Sequence, residues 1–147
     1  AGLLRGAFMK NASLKFACKW VNVRVDNNNT PFTHLMKVGD LLRIPVAHGE
    51  GNYFAPKEVL ETLRQNSQVA FRYCDEKGSD TVESNPNGSV DNIAGICNLE
   101  GKVLGMMPHP ERCSEKILSG EDGRLIFESV ISWLVKSKTP NQTQNYA

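Results

Sequence analysis

Residues 93–112 read IAGICNLEGKVLGMMPHPER, and this stretch decides the fold. The apolar run Ile93–Cys97 predicts a strand, and Lys102–Met107 predicts the next one. Glu100 and Gly101 join the two as a tight hairpin. The sequence therefore predicts an antiparallel strand pair, with a proline-flanked histidine at the end of its second strand.

Outside this stretch, strand patterns alternate with two helical patterns. Strands are predicted over residues 14–25, 41–48 and 69–73, and helices over residues 56–66 and from Asp122 onward. Pro56 suits the first turn of the earlier helix, where Val59, Leu60 and Leu63 repeat at helical spacing. This interleaving indicates an α/β sandwich with one or more antiparallel edge strands.

The first long strand changes its pattern in the middle. Apolar residues occupy even positions from Leu14 to Trp20 and odd positions from Val21 to Val25. A β-bulge, or a strand that crosses to a second partner, would account for the change.

The last helix carries an apolar stripe. Asp122 is predicted to cap it. The side chains on the stripe are Ile126, Phe127, Val130, Ile131 and Leu134. We assign residues 1–138 to one domain, and the polar residues 139–147 to a tail that is predicted to be disordered.

Composition excludes several classes of function. The chain has 147 residues, of which 40% are hydrophobic and 22% charged, and its net charge is +1. That charge would attract neither nucleic acid nor an anionic membrane. No apolar run approaches the ~20 residues of a membrane helix, and no signal peptide opens the chain, so a cytoplasmic location is expected. Because the chain begins without Met and Gly2 is typical of a helix end, we expect a fragment of a longer protein.

The four cysteines are Cys18, Cys74, Cys97 and Cys113. They form no Cys-x-x-Cys pair, so no metal site is predicted. Cys18 and Cys97 lie within apolar strand patterns and are predicted to be buried free thiols.

The strongest chemical motif is His109-Pro110-Glu111. Pro110 restricts the residue before it to an extended backbone, and in an extended segment residues two apart project to the same side. The Glu111 carboxylate could then orient the His109 imidazole for activation of a thiol or hydroxyl. A histidine in a rigid loop beside a solvated glutamate is the alternative.

Two glycine-containing loops are weaker candidates. Residues 45–51 read PVAHGEG, in which glycines beside His48 permit close backbone approach to a ligand. Residues 83–89 read ESNPNGS and offer amides and hydroxyls to a polar molecule. The first stretch could equally be a tight turn without function, and for the second a surface turn is the favoured interpretation. His34 is assigned a structural or solvent role. Gly-x-Ser-x-Gly, Gly-x-Gly-x-x-Gly and Walker motifs are missing, and no cysteine lies on a glycine-flanked strand-to-helix turn.

Taken in order, these stretches resemble the glutamine amidotransferase subunits of phosphoribosylformylglycinamidine synthases, within the class I glutamine amidotransferase family. The segments that carry the resemblance are Asn11–Phe16, Trp20–Asn22, Thr30–Thr33, Ile44–Gly51, Phe71–Tyr73, Asn85–Ser89 and Met106–Arg112. The last segment indicates the reaction class, and the others narrow it to the formylglycinamidine branch.

The resemblance implies a flavodoxin-like three-layer α/β sandwich that lacks its N-terminal strands. It also implies hydrolysis of glutamine to glutamate and ammonia, in a complex with a large synthetase subunit and a small bridging subunit. The synthetase uses the ammonia, with ATP and Mg, to convert formylglycinamide ribonucleotide to formylglycinamidine ribonucleotide in de novo purine biosynthesis. No cofactor is expected in this chain itself.

In this family a cysteine attacks the glutamine amide. His109 matches the triad histidine and Glu111 the triad glutamate, whereas the Gly-x-Cys-Asn-Gly-Phe-Gln type motif of the nucleophile is not in this chain. We therefore expect the chain alone to be inactive, and poorly stable or self-associating. A truncated, non-catalytic docking domain is the alternative, and an α/β hydrolase that pairs His109 with a serine is a weaker one.

Four further residues are candidates for binding substrate: His48, Glu50, Asn87 and Ser89. His48 and Glu50 are expected near the glutamine pocket or the ammonia exit, because strand-end loops of α/β sheets gather at the functional edge.

Overall fold

The computed structural model describes residues 2–138, without the side chain of Lys138. The predicted tail over 139–147 lies outside the described residues. The strands are β1 (Ala7–Met9), β2 (Ala17–Val25), β3 (Leu41–His48), β4 (Asn52–Phe54), β5 (Val69–Cys74), β6 (Ile93–Cys97) and β7 (Leu104–Met106). The α-helices are α1 (Lys57–Gln65) and α2 (Arg124–Lys138), and short 3-10 turns cover Val90–Asn92, Pro110–Cys113 and Lys116–Leu118.

Five strands form the main sheet in the order β3-β2-β5-β6-β7, and β1 pairs with β4 in a separate ribbon. All the pairs in both sheets are antiparallel, so the antiparallel character extends beyond the edge strands that the sequence predicted. The antiparallel pairing of β6 with β7 is confirmed, but residues 98–103 connect the two strands, where a tight turn at Glu100 and Gly101 was predicted. The loop is closed by the Asn98 side chain, whose Oδ1 accepts hydrogen bonds from the backbone amides of Lys102 (2.8 Å) and Val103 (3.0 Å).

The changed pattern in β2 comes from its second neighbour. Pairing with β3 runs without interruption from Ala17–His48 to Arg24–Leu41, so the alternative of a bulge against β3 is wrong. Pairing with β5 begins only at Asn22, which confirms the alternative of a second partner. Cys18 is exposed, so its predicted burial is also wrong, because the buried face of β2 carries the odd-numbered valines.

Two clusters of buried side chains hold the sheet and helices together. One packs β2, β3 and β5 with Ile126 of α2, and the other packs α1 against β5 and β6. The prediction for α1 is confirmed, since the helix follows Pro56 and buries Leu60 and Leu63. Cys97 is buried as predicted, and its Sγ lies 3.4 Å from the Gln68 carbonyl oxygen.

Helix α2 departs from two predictions. The Asp122 carboxylate accepts a hydrogen bond from the Arg43 backbone amide (2.7 Å) and so ties β3 to the start of α2, where a helix cap was predicted. The predicted stripe is not buried as a unit, because Ile126 is buried whereas Phe127, Ile131 and Leu134 are 42–61% exposed. Among residues 2–138, no helix combines the length and apolar content needed to cross a membrane.

The reason for the second departure is the way α2 docks. His34 Nε2 lies 2.7 Å from the Ser129 carbonyl oxygen, and the His34 ring meets Trp133 edge-on at 5.3 Å between centroids. These contacts rotate the helix so that Ile126 and Ser129 face the body. The structural role predicted for His34 is confirmed.

Candidate active site

His109 lies just beyond β7 and is hydrogen-bonded to β3, the strand at the opposite edge of the main sheet. Its backbone amide donates to the Pro45 carbonyl oxygen of β3 at 2.8 Å. The segment does not stay extended as predicted, because Pro110–Cys113 turns into a 3-10 helix. Proline suits the first position of such a turn, since its missing N–H would have had no partner there.

The turn still brings the two predicted catalytic side chains together. His109 Nδ1 lies 2.8 Å from Glu111 Oε1. The His109 side chain is 30% exposed and that of Glu111 is 56% exposed, so the pair lies at the surface, where a substrate could reach it. Because the carboxylate engages Nδ1, the other ring nitrogen, Nε2, is the one free to take and return a proton.

Gly123 makes this tight turn possible, and the sequence reading missed it. Its amide donates to the Cys113 carbonyl oxygen at 3.0 Å, and a Cβ at this position would collide with the backbone of Pro110. A glycine directly before a predicted helix was the signal that could have revealed it.

A second polar constellation surrounds His48. Asn11, His48 and Asn87 are all at most 5% exposed. Asn11 Oδ1 lies 3.0 Å from His48 Nδ1 and accepts from the Gly51 amide at the same distance. Asn87 Nδ2 lies 3.4 Å from His48 Nε2 and 3.3 Å from the Tyr73 hydroxyl. The four segments that meet here were all part of the resemblance, but Asn11 and Tyr73 were not among the predicted site residues.

These contacts select one form of the histidine. An amide oxygen only accepts, so Nδ1 of His48 carries the proton, and Nε2 accepts from the Asn87 amide. Burial lowers the pKa of His48, and the positive charge that His109 can carry lowers it further. The neutral Nδ1–H form is therefore the native one.

Ser89 belongs to the same constellation, whereas Glu50 does not. Ser89 Oγ donates to Asn87 Oδ1 (2.7 Å) and accepts from the Tyr53 amide (3.0 Å). Glu50 is exposed on the loop after β3. Within residues 2–138, every buried side-chain nitrogen and oxygen has a partner. That His48, Glu50, Asn87 and Ser89 bind substrate stays a prediction.

Three of the four cysteines are poorly suited to act as nucleophiles. Cys74, Cys97 and Cys113 are buried. Burial raises the pKa of Cys74 to about 11 and also raises the pKa of Cys97 and Cys113, which disfavours the nucleophilic thiolate. In the described part of the chain, no three His, Cys, Asp or Glu side chains are grouped as a metal site would require.

Known proteins are similar to this chain over most of its length. Residues 5–133 match the family model of the CobB/CobQ-like glutamine amidotransferase domain. The phosphoribosylformylglycinamidine synthase subunit PurQ of Moorella thermoacetica is 58% identical over 133 residues, which are 90% of this chain and 56% of the relative. The subunit of the same name from Aquifex aeolicus is 53% identical and is covered over 58% of its length by 89% of this chain.

A solved structure agrees. A chain in the structure of PurLQS from Thermotoga maritima matches with a TM-score of 0.75 and 43% identity, over 90% of this chain and 55% of that chain. This chain thus spans little more than half the length of the relatives it matches. The resemblance noted in the sequence is confirmed, and the α/β fold agrees with that of a class I glutamine amidotransferase over the part that the chain covers. The chain belongs to the CobB/CobQ-like glutamine amidotransferase family.

Proposed function

We propose that this chain supplies the histidine and the glutamate of a glutaminase triad. The observation that carries the proposal is the 2.8 Å contact between His109 Nδ1 and Glu111 Oε1 at the end of β7. The contact favours the imidazole tautomer that an acid–base catalyst needs. Membership of a family of glutamine amidotransferases also supports the proposal.

The chemistry follows from that tautomer. A cysteine thiol, supplied from outside this chain, loses its proton to His109 Nε2, and its sulfur bonds to the amide carbon of glutamine. Nε2 then returns the proton to the departing nitrogen, so that ammonia leaves and a glutamyl thioester remains. Water hydrolyses the thioester with His109 again as the base, which gives glutamate and the free thiol. Glu111 stabilises the imidazolium that forms in each half of the reaction.

The proposal also includes the use of the ammonia by a second subunit. It passes to a large synthetase subunit that uses ATP and Mg to make formylglycinamidine ribonucleotide from formylglycinamide ribonucleotide, with a small bridging subunit in the complex. The names of the relatives, PurQ and PurLQS, support this assignment. The cytoplasmic location expected from the sequence is part of the proposal.

A further part of the proposal concerns the chain in isolation. We infer that it has no glutaminase activity of its own, because three of its cysteines are buried thiols and the fourth, Cys18, lies within β2 and not at a strand-to-helix turn. Acid–base groups accelerate the reaction only when a nucleophile is present for them to serve.

A chimera tests the triad. The part of the Moorella thermoacetica relative that precedes the matched segment is joined to this chain, and ammonia release from glutamine is measured. His109→Asn and Glu111→Gln should each lower kcat, by on the order of 10²–10⁴-fold for the histidine. Glu100→Gln is the matched control, because Glu100 is an exposed acid that pairs with Lys102 on the hairpin.

Full activity of His109→Asn would contradict the proposal. The alternative, a non-catalytic docking domain, would gain support if the chimera bound the synthetase subunit but released no ammonia, whether residue 109 was histidine or asparagine.

A further inference from the structure

The loop between β1 and β2 presents a leucine in an unfavourable way. Leu14 has a φ of +57° and is 81% exposed. The left-handed region disfavours a leucine, which has no side-chain group to compensate for it there. Exposure of the apolar side chain to water is also unfavourable. A contact made by Leu14 outside this chain would explain both features.

The backbone around Leu14 cannot relax, because the buried polar network holds it on both sides. Asn11 Nδ2 donates to the Lys15 and His48 carbonyl oxygens, each at 2.8 Å. The Leu14 amide donates to the Asn11 carbonyl oxygen at 2.8 Å. The Ala12 amide donates to the Asn87 carbonyl oxygen at 2.9 Å. The network around His48 is thus the rigid base of the loop.

Other exposed apolar side chains lie next to the loop. Phe16 is 67% exposed, and its ring lies 3.8 Å from the position of a Cβ at Gly49. Met9 and Phe54 are 54% and 56% exposed. The register pairs Met9 with Asn52 and Phe54 with Ala7, so Met9 and Phe54 project from the same face of the β1–β4 ribbon.

We name Met9, Leu14, Phe16 and Phe54 the apolar face. Each of the four side chains is more than half exposed, and exposed apolar side chains of this kind are found at interaction sites.

The charges around the apolar face point to the chemistry of its partner. Lys10, Lys15 and Lys19 are exposed and lie within three positions of Met9, Leu14 or Phe16 in the sequence, and Glu50 is an exposed acid on the loop after β3. Among the described residues none of these lysines forms an ion pair. A second copy of this chain would bring like charges together across a twofold axis, which disfavours self-pairing. An acidic partner surface would complement the lysines.

We propose that the apolar face docks into an apolar depression, rimmed by acidic side chains, on the synthetase subunit. The proposal rests on the proposed function, which supplies the partner. The polar network under the loop holds the face in its binding shape before contact, and preorganisation of this kind lowers the entropic cost of association.

Leu14→Asn tests the proposal, because stability and binding should respond differently. Asparagine tolerates the left-handed region, so the melting temperature should stay unchanged or rise. The Kd for the synthetase subunit of the Moorella thermoacetica synthase should increase by at least about 10-fold, as for a central apolar anchor. Val82→Asn is the control, because Val82 is 85% exposed and lies elsewhere on the chain. Phe16→Ser should weaken binding in the same sense.

The measurements are made on this chain and on the chimera, without glutamine. An unchanged Kd for both Leu14→Asn and Phe16→Ser would overturn the proposal. A melting temperature lowered by Leu14→Asn in the chimera alone would also overturn it, because the added segment would then cover Leu14. If the unmutated protein formed a dimer that Leu14→Asn and Phe16→Ser weakened, the apolar face would bind a second copy of the chain, and the proposal would be overturned as well.

The failure of the proposed function has a separate signature. If the unmutated chimera did not bind the synthetase subunit, the proposed partner would be wrong before any variant was made. If it bound but lacked His109-dependent ammonia release, docking would stand and the triad would not.

Discussion

His48 can keep its hydrogen bonds only in the neutral form. Protonation of Nε2 would place a donor against the Asn87 amide donor 3.4 Å away. The titratable groups near it are His109, whose positive charge acts on it, and Tyr73, which contacts it through Asn87. Burial lowers the pKa of His48 below its ordinary value of 6.5; a backbone hydrogen bond opposes this effect in part, and the charge of His109 adds to it.

The lowered pKa makes a specific prediction for stability. Below pH 6.5 the unfolded chain binds a proton at His48 that the folded chain resists, so the stabilisation is present above that pH and is lost as the pH falls. His48→Gln should flatten the fall in melting temperature between about pH 7 and pH 5, measured by circular dichroism on the chimera. His34→Gln removes a different histidine and should keep the steep profile. Parallel profiles for His48→Gln and the unmutated protein would refute this account.

The packing of α2 against the body leaves exposed several residues that its apolar pattern predicted to be buried. Its apolar stripe is continuous in the sequence, but His34 binds the Ser129 carbonyl and leaves Ile131 and Leu134 61% and 53% exposed. An exposed apolar stripe on a helix promotes association.

Substitutions on the two sides of α2 should therefore differ. Ile131→Gln and Leu134→Gln should change the free energy of unfolding by no more than about 0.5 kcal/mol and should reduce self-association of the isolated chain. Ile126→Gln, at a position 3% exposed, should destabilise by about 2–5 kcal/mol. Chemical denaturation and sedimentation velocity measure the two effects. A large loss of stability from Ile131→Gln would mean that this side of α2 is packed.

For the whole molecule, the decisive prediction concerns activity. The isolated chain should release no ammonia from glutamine above background, whereas the chimera should be active. This follows from the proposal that the nucleophilic thiol activated by His109 and Glu111 lies in the added segment. Labelling with a glutamine-analogue chloroketone gives a second readout and should modify the chimera alone. Ammonia release by the isolated chain, abolished by His109→Asn, would show that one of its own cysteines is the nucleophile.

Features of the fold that depend on short stretches of sequence were predictable, whereas features that depend on distant residues were not. The strands β3, β5 and β6, the pairing of β6 with β7 and α1 were predictable, since each rests on apolar spacing or turn residues within a short window. The 3-10 turn after His109, the exposure of Cys18 and the orientation of α2 were not, because each depends on a partner distant in sequence.

By itself the sequence determined which residues meet in the candidate triad, since His109 and Glu111 are two positions apart and almost any compact turn brings them together. It also determined the family, through seven short segments in order. Only the tertiary structure decided where Asn11, His48 and Asn87 go, because their hydrogen bonds span 37 and 39 positions and so depend on how distant segments pack together. The same long-range network places Leu14 on the surface in a conformation that no local pattern predicts.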